Sequence, residues 1–108
     1  MTDKIYTIEE IRNISLPILL KYNVGKVYLF GSYARGEADG NSDVDLRVDQ
    51  TGNLGLDLYV MQDELTDALQ KQVDLLHTEH LRKQLDDPWI QYFVRQMKKS
   101  EVLLYAKS

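Results

Sequence analysis

The chain predicts an α+β fold, a small sheet of about four strands with helices packed mainly against one face. Three observations point there. Short apolar or alternating runs suited to strands occur at residues 26–30, 44–49, 72–77 and 101–106. Between them lie segments with helical apolar spacing, giving the order helix, strand, short helix, strand, helix, strand, helix, strand. The length of 108 residues makes one domain, residues 1–108, with room for a single core and none for a second lobe.

Thr7-Ile8-Glu9-Glu10 has the form of a capping box that opens the first helix, and Ile8, Ile11, Ile18 and Leu19 give it an apolar face. Pro17 is expected to kink or split it, with Ser15 available as a second cap. Asn23-Val24-Gly25 is a stop signal, because Asn and Gly tolerate left-handed dihedrals. Residues 26–30 read as a buried strand that Gly31-Ser32 ends, and a short helix is expected from residue 33 to about 38. Asp39-Gly40-Asn41 is a turn.

In the next strand Val44, Leu46 and Val48 face one way, and Asp43, Asp45, Arg47 and Asp49 the other. Thr51-Gly52-Asn53 turns the chain. Leu54, Leu58, Met61, Leu65 and Leu69 then mark the core stripe of a long helix. The third strand, 72–77, sets Val73 and Leu75 against Asp74 and Leu76. Asp87-Pro88 is an N-cap and first-turn pair for a helix through about residue 97, with Trp89, Tyr92 and Phe93 expected in the core and an exposed edge left for a partner. Lys98-Lys99 suits a solvated helix end. Residues 101–106 close the chain as an edge strand.

Composition narrows the chemistry. A net charge of −4 with no basic stripe gives no general attraction to nucleic acid or anionic membrane. The absence of cysteine excludes disulfides, thiolate metal sites and cysteine nucleophiles. The first twenty residues carry Asp3, Glu9, Glu10 and Arg12 without a long apolar run, so neither a signal peptide nor a membrane span is expected, and the default location is cytoplasmic. His77 and His80 are not spaced as a metal pair on a helix and suit surface or core roles.

Chemistry concentrates between Leu29 and Val48. Gly31, between a strand and a helix, lets the backbone approach a ligand closely. The unpaired N–H groups of the helix that follows favour an anion, and the Ser32 hydroxyl can donate one more hydrogen bond. Asp43 and Asp45 project from one strand face, roughly 6–7 Å apart in rise. Two such carboxylates repel unless a divalent cation intervenes. Oxygen ligands beside substrate phosphates favour Mg²⁺. Asp74 reaches the same place if the third strand lies beside the second. Arg35 can stabilise charge on phosphates or anchor its turn. Taken singly, Gly31-Ser32 is an ordinary strand-to-helix turn, Asp43 an Asx-turn residue and Asp45 a solvated strand position. Their combination points to in-line attack at a phosphorus of a triphosphate.

Gly31-Ser32-Tyr33-Ala34-Arg35-Gly36, then five residues, then Ser42-Asp43-Val44-Asp45-Leu46, resembles the signature of the DNA polymerase β-type nucleotidyltransferase superfamily. Val73-Asp74-Leu75 is similar to the strand that bears that superfamily's third carboxylate. Within it the match is to the minimal nucleotidyltransferase (MNT) branch. The resemblance implies a mixed sheet, ATP as substrate and two Mg²⁺ ions held at Asp43, Asp45 and Asp74. It also implies nucleotide contacts from Gly31, Ser32, Arg35 and Ser42, and Asp74 as the group that activates the acceptor hydroxyl. Larger relatives carry a helical lobe for the acceptor, and no segment here is left to form one. MNT proteins meet this by partnering a HEPN protein in toxin–antitoxin pairs, where the MNT antitoxin transfers AMP to a partner tyrosine. A protein adenylyltransferase antitoxin is therefore the expected activity. The alternatives are an antitoxin that only occludes its partner, a small-molecule nucleotidyltransferase needing a second subunit, and a nucleic-acid tailing enzyme, which the missing basic patch disfavours.

Overall fold

The computed structural model describes residues 1–50 and 54–107. Helix α1 (Ile8–Lys21) begins where the sequence places it, with Glu10 N–H donating to the Thr7 hydroxyl and Thr7 N–H to the Glu10 carboxylate. That reciprocal cap contributes on the order of 1 kcal/mol. Pro17 does not split the helix, which runs unbroken to Lys21. The hydrogen bond Pro17 cannot make would have gone to the carbonyl of Asn13, an exposed residue whose carbonyl water can satisfy. Ser15 is not a cap but a buried side chain whose hydroxyl has no partner in the protein.

Strand β1 (Lys26–Phe30) leads directly into helix α2 (Gly31–Arg35), earlier and shorter than expected, because Gly36 adopts a left-handed φ of +73° and ends it. Strand β2 (Val44–Asp49) follows, and then helix α3 (Asp57–Leu69). The turn expected at Thr51-Gly52-Asn53 lies outside the described residues. Strand β3 (Val73–His77) runs into helix α4 (Thr78–Arg82), an element the sequence reading lacks. Helix α5 (Pro88–Ser100) has the expected cap, with Trp89 N–H donating to the Asp87 carboxylate at 2.9 Å, and strand β4 (Val102–Ala106) ends the fold.

The sheet has the order β3-β2-β1-β4, so β4 is an edge strand as expected. β1 pairs antiparallel with both β2 and β4, while β2 and β3 are parallel, making the sheet mixed. A parallel pair needs a crossover, and α3 supplies it. The helical stripe Leu58, Met61, Leu65 and Leu69 is fully or nearly buried against Val27, Leu29, Leu46, Val73 and Ile11. α1 and α3 thus cover one face and are joined by the Lys21–Glu64 ion pair. α4 and α5 rest on part of the other face.

That second cover produces one correction. Trp89 and Tyr92 are exposed, and Phe93 is only partly covered where its ring meets Phe30 edge-on at 6.0 Å. These aromatics are not core, although Met97 of the same helix is buried. Among the described residues no helix is long and apolar enough to cross a membrane.

Candidate active site

Parallel pairing of β2 with β3 sets Asp45 opposite Asp74, and antiparallel pairing of β2 with β1 sets Asp45 opposite Phe30, the residue before Gly31. Three chain segments therefore meet at one carboxylate. Gly31 has φ of +74°, and a Cβ on it would run into the Asp45 Oδ2 atom and lie 3.2 Å from Cγ. Only glycine fits there without moving the carboxylate.

Asp45 is half-buried, and its pKa is pushed up from the ordinary carboxylate value to about 6. Burial is the main cause, followed by the negative charges of Asp74 and Asp43, while the Arg35 guanidinium opposes them. Asp74, paired with Asp45 in the register of the two strands, is thus the larger source of that repulsion. Among the described residues no three acidic or histidine side chains form a preassembled metal cage. The all-oxygen set nevertheless fits Mg²⁺, which takes one or two protein carboxylates and fills its remaining positions with water and substrate phosphates. A cation beside Asp45 and Asp74 would offset the repulsion that raises the Asp45 pKa.

The other expected residues are placed around this pair. Ser32 lies in the first turn of α2, which has no side-chain cap of its own, so the backbone there keeps donors for an anion. Arg35 Nε is 3.1 Å from Glu37 Oε2, with both side chains largely exposed. Such a pair is worth less than about 1 kcal/mol, so Arg35 can exchange it for a phosphate. Asp43 is exposed at the entry of β2. Ser42 is not in the cleft lining. Its hydroxyl accepts from Asp39 N–H at 2.9 Å, inside an Asx turn where Asn41 N–H donates to Asp39 Oδ1 at 2.8 Å.

Two buried cations escaped the sequence reading. Arg47, on the same sheet face as Asp45, is 5% exposed. It contacts both Glu101 carboxylate oxygens through Nη2 at 3.0 Å, donates to Thr78 Oγ1 at 2.9 Å and stacks over the Tyr28 ring. Lys71 is 3% exposed and donates to the Gly40 carbonyl at 2.9 Å, holding the turn that precedes Asp43. Alternation alone placed Arg47 on the carboxylate face, but nothing in it signalled that α4 and α5 would cover that position.

Asp45, Asp74, Gly31 and Arg35 open into a cleft of about 620 Å³ whose far wall comes from Phe93, Gln96 and Met97 of α5. A carboxylate pair at the foot of an open cleft, beside an uncapped helix start, can hold a cation and the phosphates it accompanies.

Comparison with known proteins agrees with this geometry. Residues 13–108 match the family "Polymerase beta, Nucleotidyltransferase". A protein of Methanocaldococcus jannaschii named "Putative protein adenylyltransferase" is 41% identical over 81 residues, covering 74% of this chain and 87% of that one. A second protein of that name from the same organism is 33% identical over 76 residues, covering 65% and 78%. Among solved structures, a toxin–antitoxin with AMP-PNP superposes with a TM-score of 0.68 and 25% identity, over 90% of this chain and 74% of that one. A complex of a tri-AMPylated HEPN toxin from Shewanella oneidensis with its MNT antitoxin shares the fold, at a TM-score of 0.63 and 20% identity over 94% and 74%. The motif from Gly31 to Asp45, the paired Asp74 and a family match over most of the chain converge on one conclusion: this chain is a nucleotidyltransferase of the polymerase β family.

Proposed function

We propose that this protein is a Mg²⁺-dependent protein adenylyltransferase that moves AMP from ATP to a tyrosine hydroxyl of a HEPN-type partner and so acts as its antitoxin. The observation that carries the reading is the Asp45–Asp74 register beside Gly31, with all three residues lining one cleft. The names of its relatives, and AMP-PNP in a neighbour of similar fold, support the donor and the acceptor class.

Each residue then has a task. The backbone at Gly31 and Ser32 receives the phosphates, with Arg35 released from Glu37 to join them. Asp43, Asp45 and Asp74 hold the Mg²⁺, which supplies charge neutralisation and orientation of the triphosphate when bound. Asp74, on the edge strand β3 and in the cleft lining, accepts the proton of the incoming hydroxyl. The tyrosine oxygen bonds to the α-phosphorus, the bond from that phosphorus to the bridging oxygen breaks, and pyrophosphate leaves with the electron pair. A second reading, occlusion of the partner without transfer, draws on the exposed Trp89 and Tyr92 beside the cleft.

Incubation with α-labelled ATP, Mg²⁺ and the HEPN partner separates the two. Label on a partner tyrosine, lost with Asp45→Asn, is the expected result. An unlabelled partner whose toxicity is still suppressed replaces transfer with occlusion.

A further inference from the structure

The cleft lining is of two chemical kinds. Gly31, Arg35, Asp45 and Asp74 supply the charged groups and the glycine backbone. Helix α5 adds Phe93, Gln96 and Met97, none of them charged. Phosphate oxygens would lose water against that wall without gaining a positive partner, so they belong beside Gly31 and Arg35. The α5 wall suits a flat group with apolar faces and a polar edge.

Its parts are set in advance. The Phe93 ring is held edge-on against Phe30, with centroids 6.0 Å apart and planes at 87°, which fixes its attitude while leaving 38% of the residue exposed. Gln96 lies three residues further along α5, on the same side of the helix. Its amide makes no hydrogen bond within the described residues. The Gln62 carbonyl oxygen accepts from Leu75 N–H at 3.1 Å, which fixes a second amide in the cleft lining. Donors and acceptors along an edge distinguish a nucleobase from the ring of an acceptor tyrosine, whose one polar atom must reach Asp74.

Resting on the adenylyltransferase reading, we infer that the α5 side of this cleft is the nucleobase subsite. Phe93 supplies the stacking face, and Gln96 reads the base edge in favour of adenine. An amide offers one donor and one acceptor. Adenine answers with its N7 acceptor and N6 amino donor, whereas the matching edge of guanine has two acceptors and leaves the Gln96 carbonyl opposed.

The test is equilibrium binding of ATP and GTP to the full chain in Mg²⁺ by calorimetry, with thermal melts to confirm folding. Wild type is expected to favour ATP by about tenfold, and Gln96→Ala to bring the two affinities to within about twofold of each other. Phe93→Ala should weaken both nucleotides by about tenfold, with Phe93→Leu, which keeps bulk without the ring, recovering only part. If Asp45→Asn weakens ATP binding but Phe93→Ala and Gln96→Ala bind like wild type, the subsite is wrong and the adenylyltransferase reading stands. A Phe93→Ala protein with normal ATP affinity and a raised KM for the acceptor gives this wall to the acceptor, which also overturns the inference. No nucleotide binding by wild type removes both.

Discussion

Gly31 and Asp45 are so close that a Cβ on the glycine would run into the carboxylate of Asp45. The contact joins the start of α2 to the middle of the sheet and fixes one carboxylate relative to the phosphate cradle. Gly31→Ala meets two obstacles, a left-handed φ and the Asp45 side chain. The backbone cost is about 1–2 kcal/mol, and the carboxylate must move. A displacement near 1 Å at a reacting centre can lower the rate by about 100-fold. The expected outcome is a modest fall in Tm with a large fall in AMP transfer, measured on the same preparation. Wild-type transfer by Gly31→Ala would show that the contact does not position Asp45.

Asp45 also makes the free protein pH-sensitive. Its folded pKa, about 6, lies above the ordinary 3.8. Below about pH 4 the carboxyl is protonated in folded and unfolded chains alike, and no penalty exists. As pH rises through about 4 to 6 the unfolded chain releases the proton first, so this group's contribution to stability is lost, and above that window the loss is complete. Discounted for its half exposure, the effect is on the order of 1–2 kcal/mol. Asp45→Asn should therefore be more stable than wild type at pH 7.5 without Mg²⁺, and the gain should vanish near pH 4. Urea melts at the two pH values check this. A variant equally destabilised at both would place the strain elsewhere.

Arg47 and Glu101 tie β2 to the junction of α5 and β4, and their side chains are 6% and 14% exposed. Breaking a buried pair from one side leaves an uncompensated charge and costs about 3–5 kcal/mol. Arg47→Ala should fall in that range and also release α5 from the sheet. Replacing both, as Arg47→Met with Glu101→Leu, should recover most of the loss, since an apolar pair of similar volume is often as stable. Chemical denaturation of the three proteins measures it. A double variant no better than the single would mean that Thr78 and Asp49 account for the stabilisation.

The legible parts of this fold are those fixed by local chemistry. Thr7 and Glu10 cap α1, Asp87 caps α5, and alternation in β2 and β3 puts Asp45 and Asp74 on one face, as their residue types require. Asp74 was expected near Asp45 only if its strand lay beside β2, and the parallel pairing of β2 with β3 meets that condition. What escaped depends on cover from distant segments. The spacing of Trp89, Tyr92 and Phe93 defines a helix face, but not whether anything lies over it, and here that face is open. Alternation set Arg47 on the face with Asp45, but nothing in it signalled that α4, five residues long and without a side-chain cap, would lie over that side of the sheet. Ser15 resembled a cap because Pro17 follows it, yet an unbroken helix turned it inward.

Lys71 shows how such a hidden residue can act on the site from outside it. Its ammonium donates to the Gly40 carbonyl at 2.9 Å and lies 3.4 Å from the Thr2 carbonyl. The N-terminal segment lies on the same turn, since a Cβ on Gly40 would come within 2.6 Å of the Asp3 carbonyl oxygen. The turn delivers Asp43, and its own Asx bonds hold only residues 39–42 together, not their place on the sheet. Lys71→Met keeps the stem and removes the donor, so two carbonyls lose a charge-assisted partner. Stability should fall by about 1–3 kcal/mol. Transfer should fall several-fold through a looser Asp43, with the Asp45–Asp74 register intact because Val44 N–H still donates to the Gln72 carbonyl at 2.9 Å. Urea melts and single-turnover transfer at saturating ATP measure the two effects. Lost stability with an unchanged single-turnover rate would show that Asp43 is held by β2 alone.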